Sequence, residues 1–181
     1  ETFKAAWWLP EGHSQTLWRK FTYKQVITRQ RQRIELEDGD FIDIDWALKP
    51  SADDKKPITL ILHGLCGCSS SPYVVALQKL LTEQSLASVA MNFRGCSGEI
   101  NRLARAYHSG ASSDLQEVFN CIAAEYPNTP INVVGYSLGA NVILKWLGEN
   151  EPVEQVAAAV AVSPPFRLAD CSKAMLVGPG S

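Results

Sequence analysis

The sequence predicts an α/β fold, a mainly parallel sheet with helices on both faces. Three observations carry this reading. Strand-like runs at Ile58–Leu62, Ser88–Phe93, Ile131–Val134 and Val156–Val162 alternate with segments of helical period, the pattern of strand–helix units around a covered sheet. The 181 residues are 46% hydrophobic and 20% charged, which suits one globular domain with a substantial core. Gly135-Tyr136-Ser137-Leu138-Gly139 lies between the third run and the next helical segment. Such a strand-to-helix turn brings two backbones together and leaves no room for a Cβ at either outer glycine.

The elements follow in order. Residues 1–24 hold Phe3, Trp7, Trp8, Trp18, Phe21 and Tyr23 without clear periodicity, so residues 1–30 are expected to pack on the core as an aromatic-rich segment. Arg33–Leu36 and Phe41–Trp46 form a hairpin around Asp38-Gly39, a pair suited to a turn with positive φ. Phe41, Asp43 and Asp45 alternate with Ile42, Ile44 and Trp46, which predicts a half-buried strand. Arg29, Arg31 and Arg33 read as a solvated strand edge. After the polar loop Ser51–Pro57, the unbroken apolar run Ile58–Leu62 predicts a strand covered on both faces.

Ser71-Pro72 opens a helix, serine as cap and proline in the first turn, with Leu77, Leu80, Leu81 and Gln84 at helical spacing. Ser113 and Gln116 form a capping-box pattern. Leu115, Val118, Phe119 and Ile122 give that helix its apolar stripe, and Tyr126-Pro127 ends it. The helix after Ser137 is apolar on nearly all sides, so deep burial is expected, with Gly148 as its C-terminal cap. Ser163-Pro164-Pro165 stops the last strand. Two antiparallel leading strands and four parallel ones are expected, joined by right-handed crossovers. Ligands in such sheets bind beyond the carboxyl ends of the strands, where His63, Arg94 and Ser137 fall.

Composition narrows the function. Seventeen basic residues face 19 acidic ones, and no basic patch suggests a nucleic-acid partner. No run approaches the ~18 apolar residues of a membrane span. Five cysteines without regular spacing argue against a disulfide framework and for a reducing, cytoplasmic location. Cys66-Gly67-Cys68 lies near His63, but zinc sites need four well-placed ligands, commonly with wider cysteine spacing. These are read as small loop residues, and no metal is expected.

The chemistry centres on Ser137. A serine hydroxyl is a weak nucleophile until a base takes its proton, and the charge forming on a substrate oxygen needs preset donors. The backbone N–H of Leu138, at a helix N-terminus, is one. The backbone N–H of Leu65, in the loop His63-Gly64-Leu65-Cys66-Gly67, is the other expected donor. The only histidines are His13, His63 and His108, and none follows Ser137. His63 reads as a structural hydrogen-bonding residue rather than a base, His108 as a loop residue that serves as a substitute base only if it approaches the strand ends, and His13 as a residue that packs or bonds locally. Glu149, Glu151 and Glu154 read as solvated, and Asp170 follows the last strand. Arg94 is expected to pair with Glu99 across its loop and brace the site. Cys96 and Ser97 lack the turn context of a nucleophile, and Cys96 reads as a buried thiol.

The chain resembles the YheT-like branch of the α/β-hydrolases, related to the ABHD-type lipid hydrolases. The resemblance runs from about residue 3 to residue 174. It rests on Gly12-His13-Ser14-Gln15-Thr16-Leu17, His63-Gly64-Leu65-Cys66-Gly67 with Ser71-Pro72-Tyr73, and Asn92-Phe93-Arg94-Gly95-Cys96-Ser97-Gly98-Glu99. It continues through Asn101-Arg102, Tyr107-His108-Ser109-Gly110, Asp114-Leu115 and Gly135-Tyr136-Ser137-Leu138-Gly139-Ala140-Asn141, where Ala140 replaces a common glycine. The resemblance implies a carboxylic ester hydrolase acting on short acyl esters or acylglycerols, without metal or organic cofactor. It also implies a triad acid and histidine on later strands, beyond a helical cap. Residues 31–174 are accordingly expected to be the N-terminal part of an α/β-hydrolase domain, incomplete at its C-terminal end, with 175–181 a flexible tail. The chain alone is expected to turn over little, and its open sheet edge to favour dimerisation. The alternative is a non-catalytic short form that binds an acyl ligand or a protein partner.

Overall fold

The computed structural model describes residues 4–12, 14–15, 18, 26–51, 55–150 and 154–176. In chain order these form β1 (Gln30–Glu35), β2 (Phe41–Leu48), β3 (Ile58–Leu62), α1 (Pro72–Glu83) and β4 (Ser88–Met91). There follow α2 (Ser112–Glu125), β5 (Ile131–Tyr136), α3 (Leu138–Glu149), β6 (Val156–Val162) and α4 (Leu168–Leu176). The six strands make one sheet in the order β1-β2-β4-β3-β5-β6. β2 pairs antiparallel with both β1 and β4, while β4, β3, β5 and β6 run parallel.

β3 is buried throughout because helices cover both of its faces. Leu60 and Leu62 join the main core with Val89, Val133, Phe119, Ile143 and Trp146. Ile61 points to the other side, where it packs with Val74, Ala90, Tyr73, Leu77 and Tyr136. The α2 stripe Leu115, Val118, Phe119 and Ile122 is buried as expected, and Phe119 meets Trp146 of α3 at 5.0 Å between ring centres.

Several local expectations are corrected. β2 is buried on both faces, Asp43 and Asp45 included. Arg33 and Arg31, directly opposite them on β1, bind each carboxylate through two nitrogens, and Asn92 donates to Asp45. β1 is an edge strand, but Arg31 and Arg33 cover a buried acidic row rather than simply facing water. Ser71 stands at the start of α1 without capping it; its hydroxyl accepts the Cys68 N–H instead. The buried stripe of α1 is Val74, Val75 and Gln78, and Leu80 is exposed.

α2 starts at Ser112, and no side chain caps it. Gln116 instead accepts a hydrogen bond from Trp146 Nε1. α3 buries one face only, through Val142, Ile143 and Trp146 among others, and Leu144 is exposed. It runs through Gly148 to Glu149, with Asn150 as cap. β4 ends at Met91, two residues early, because Asn92 turns inward to bond Asp43 and Asp45.

Trp8 and Trp18 pair edge to face at 4.9 Å, and Trp7 is 90% exposed. None of these three is buried. Phe3, His13, Thr16, Leu17, Phe21 and Tyr23 lie outside the described residues, as do Glu151 and 177–181. Met175 and Leu176, expected in the tail, form the last turn of α4. No helix among the described residues is long and apolar enough to cross a membrane.

Candidate active site at the strand ends

Register brings the expected residues to one end of the sheet. Leu62 of β3 pairs with Gly135 of β5 on one side and with Met91 of β4 on the other. The chain just beyond that row carries His63, Ser137, Phe93 and Arg94. Ser137 itself sits between β5 and α3 at φ 51° and ψ −113°. A non-glycine residue with positive φ stores of order 1–3 kcal/mol of strain, so the surroundings must hold it. They do so through the Ser137 N–H, which donates to the Val162 carbonyl at 2.9 Å, and through two close backbone approaches. A Cβ at Gly135 would come within 2.6 Å of Ala140 N, and one at Gly139 within 2.5 Å of His63 O and 2.8 Å of Leu62 O.

The loop after β3 closes as a turn, Gly67 N–H donating to Gly64 O at 3.1 Å. Cys66, its second central residue, has φ 54°, the signature of a type II turn. Gly64 N–H donates to Tyr73 Oη and Cys66 N–H to Tyr107 Oη, both at 2.9 Å. Among the described residues, the N–H groups of Leu65 and Leu138 have no hydrogen-bond partner. These are the two amides expected to hold a substrate oxygen.

His63 is fully buried. Its Nδ1 bonds the Gly64 carbonyl at 2.7 Å, and its Nε2 accepts the Phe93 N–H at 3.2 Å. Burial pushes this imidazole below its ordinary range, and the bond to Gly64 only partly opposes that. His63 is therefore a neutral brace joining the ends of β3 and β4. His108 stands beside the cavity described below, and its Nδ1 accepts the Gly110 N–H at 3.1 Å. His63, with both ring nitrogens bonded, offers no free basic nitrogen.

Arg94 does not pair with Glu99 as expected. It is buried and binds Asp114 through Nε and Nη2 at 2.8 and 2.9 Å, and Asp40 at 2.9 Å. Glu99 pairs with Arg33 instead. Burial alone would raise the Asp40 carboxyl. Hydrogen bonds from Asn101, the Arg102 and Phe41 N–H groups and Arg94 outweigh that and hold it at about 2. This network fixes the start and end of the loop 92–111. Burial pushes the Cys96 thiol up, opposed by the Tyr107 hydroxyl, so it stays protonated at neutral pH. All five cysteines are free thiols. No group of three or more His, Cys, Asp or Glu among the described residues could hold a metal ion.

A cavity of about 550 Å³ opens over Ser137. Leu65, Tyr107 and His108 line one wall, and Pro165, Leu168, Cys171, Ser172 and Met175 line the other. The helix α4 was not foreseen, yet its signal is present. Residues 168, 171, 172 and 175 follow the i, i+3, i+4, i+7 spacing of one helical face.

A strained serine between a parallel strand and the helix that follows it, over this sheet order, defines the class: an α/β-hydrolase fold. The profile of the alpha/beta hydrolase fold family matches residues 57–178, and the chain belongs to that family. Several of its relatives within the family are named as esterases or lipases. It is 40% identical over 167 residues to YheT of Escherichia coli K12, named as an esterase, covering 92% of this chain and 49% of that protein. It is 29% identical over 181 residues to phospholipase ABHD3 of Bos taurus, covering 97% and 44%. The esterase Pf2001 of Pyrococcus furiosus superposes with a TM-score of 0.66 at 21% identity, over 86% of this chain and 58% of that one. The chain thus spans about half the length or less of the curated relatives it matches.

Proposed function

We propose that this chain carries the nucleophile and oxyanion-binding part of a carboxylic ester hydrolase. The observation that carries the reading is Ser137, held at positive φ beneath a cavity that Leu65 and Leu138 also line, both with uncommitted N–H groups. Ser137 Oγ attacks the ester carbonyl carbon, and the carbonyl electron pair moves to its oxygen. The amides of Leu65 and Leu138 hold that oxyanion, helped by the α3 N-terminus. The tetrahedral species collapses, expelling the alcohol and leaving an acyl-serine. The proton from Oγ must pass through a base to the departing alkoxide. His63, buried with both ring nitrogens bonded, does not play that part, and the chain by itself turns over slowly. His63 and Arg94 support the strand ends.

The cavity wall of Pro165, Leu168 and Met175 suits an acyl chain, so short acyl esters or acylglycerols are the substrate class. The bonded state of His63 also favours a second reading, an acyl-binding form without turnover.

Butylboronic acid tests the first step without needing a base from the protein. Its trigonal boron accepts Ser137 Oγ and becomes tetrahedral, and the hydroxyl proton goes to buffer. The expected ¹¹B signal is tetrahedral with the native chain and lost in Ser137→Ala. Trigonal boron with the native chain overturns the proposal. Hydrolysis of p-nitrophenyl butyrate separates the two readings. Turnover abolished by both Ser137→Ala and His108→Ala would make His108 the base and remove the acyl-binding form.

A further inference from the structure

We propose that Tyr73 and Tyr107 are positioning residues that clamp the β3–α1 loop so that its one free amide, Leu65 N–H, meets the substrate oxygen. The inference rests on the proposed function above and assigns two residues that it did not use. The loop has consecutive N–H groups with different fates. Gly64 N–H is taken by Tyr73 Oη and Cys66 N–H by Tyr107 Oη. Gly67 N–H is taken by Gly64 O. Only Leu65 N–H, between the two clamped amides, is left over.

The two hydroxyls arrive from opposite faces of the sheet. Tyr73 packs in the cluster under α1, against Tyr136 at 4.6 Å. Tyr107 packs on the main core, stacked on Phe93 at 5.2 Å with ring planes 6° apart. Phe93 in turn meets His63 edge to face at 4.8 Å, and His63 Nδ1 bonds the Gly64 carbonyl. The peptides flanking Leu65 are therefore held at the Gly64 carbonyl by His63 and at the Cys66 N–H by Tyr107, and the peptide before them at the Gly64 N–H by Tyr73. This matters because Cys66 holds a positive φ that L-residues disfavour. Without the clamp, the turn is free to relax to a conformer that moves Leu65 N–H. An oxyanion donor acts only when it is aimed at the oxygen in advance.

Removing either hydroxyl leaves the packing in place, since Tyr73→Phe and Tyr107→Phe keep both ring contacts. Two readouts test the proposal. In native-state amide exchange, Gly64 and Cys66 are expected to be protected and Leu65 to exchange fast. Tyr107→Phe should speed exchange at Cys66, and Tyr73→Phe at Gly64, by about tenfold or more. Butylboronic acid should bind each variant about 3- to 10-fold more weakly, the scale of one lost hydrogen bond, and the double variant more weakly still. Tyr126→Phe, whose hydroxyl bonds Glu125 away from the site, should match the native chain in both assays.

Unchanged boron affinity in Tyr73→Phe and Tyr107→Phe, while Ser137→Ala still abolishes binding, overturns the clamp and leaves the proposed function standing. Unchanged exchange at Gly64 and Cys66 in the same variants also overturns it. Absence of Ser137-dependent binding in the native chain removes the proposed function, and the clamp's role with it.

Discussion

The two walls of the Ser137 cavity are built in different ways. On one side, Leu65, Tyr107 and His108 sit on loops tied into the core. Arg94, Asp40 and Asp114 are buried together beneath them, and His63 joins two strand ends. On the other side, α4 has no buried residue, and Met175 is 65% exposed. β6, which precedes it in the chain, is mostly exposed along its length. Asn141 Nδ2, donating to the Pro165 carbonyl at 3.1 Å, links α3 to this wall. The difference teaches that the polar half of the site is set by buried hydrogen bonds, whereas the apolar half rests on few contacts.

The comparison breaks hardest at Arg94. Arg94→Met leaves Asp40 and Asp114 buried without their cation, and unfolding in urea should show a loss of about 3–5 kcal/mol. A loss below 1 kcal/mol would mean that the network does not hold the first wall. Gly139→Ala comes next. Its Cβ would press on the backbone carbonyls of Leu62 and His63, and overpacking of this kind costs about 1–3 kcal/mol.

A pH titration of stability sharpens the contrast further. The unfolded chain binds more protons than the folded one at both His63 and Asp40, so stability rises with pH. The His63 contribution is complete above its ordinary value of 6.5 and falls away below it. The Asp40 contribution is lost as pH drops from its ordinary 3.8 to about 2. Urea unfolding between pH 8 and pH 2 reads both, and His63→Phe should flatten the upper limb. Smallest is Met175→Ala on the second wall, expected to change stability by under about 0.5 kcal/mol while weakening butylboronic acid binding. An equal cost at Arg94 and Met175 would erase the distinction.

The sequence revealed most where one local rule acts alone. β3 as an unbroken apolar run, Gly39 at φ 84° and the turn around Ser137 each follow from their own residues. Long-range partners were less legible. Arg94 and Glu99 are near in sequence and opposite in charge, yet Arg94 reaches Asp114 and Asp40, which only folding brings near. The same cause misled the reading of Asp43 and Asp45. Their alternation with apolar residues resembles a solvated face until Arg31 and Arg33 lie across the hairpin. Capping by Ser71 and Ser113 failed because nearer polar partners competed for Ser71 and the helix began one residue before Ser113. α4 went unread because its face repeats only over two turns and includes Cys171 and Ser172.

The tight approach of Gly139 to the β3 end has one more effect. Leu65 hangs from the strand that Gly139 touches, and Leu138 is its immediate neighbour. The gap between the two amides is thus a fixed gauge, written in main chain rather than in side chains. Changing that gap would mean reshaping the sheet itself, whereas the side chains of α4 can be exchanged without moving any strand.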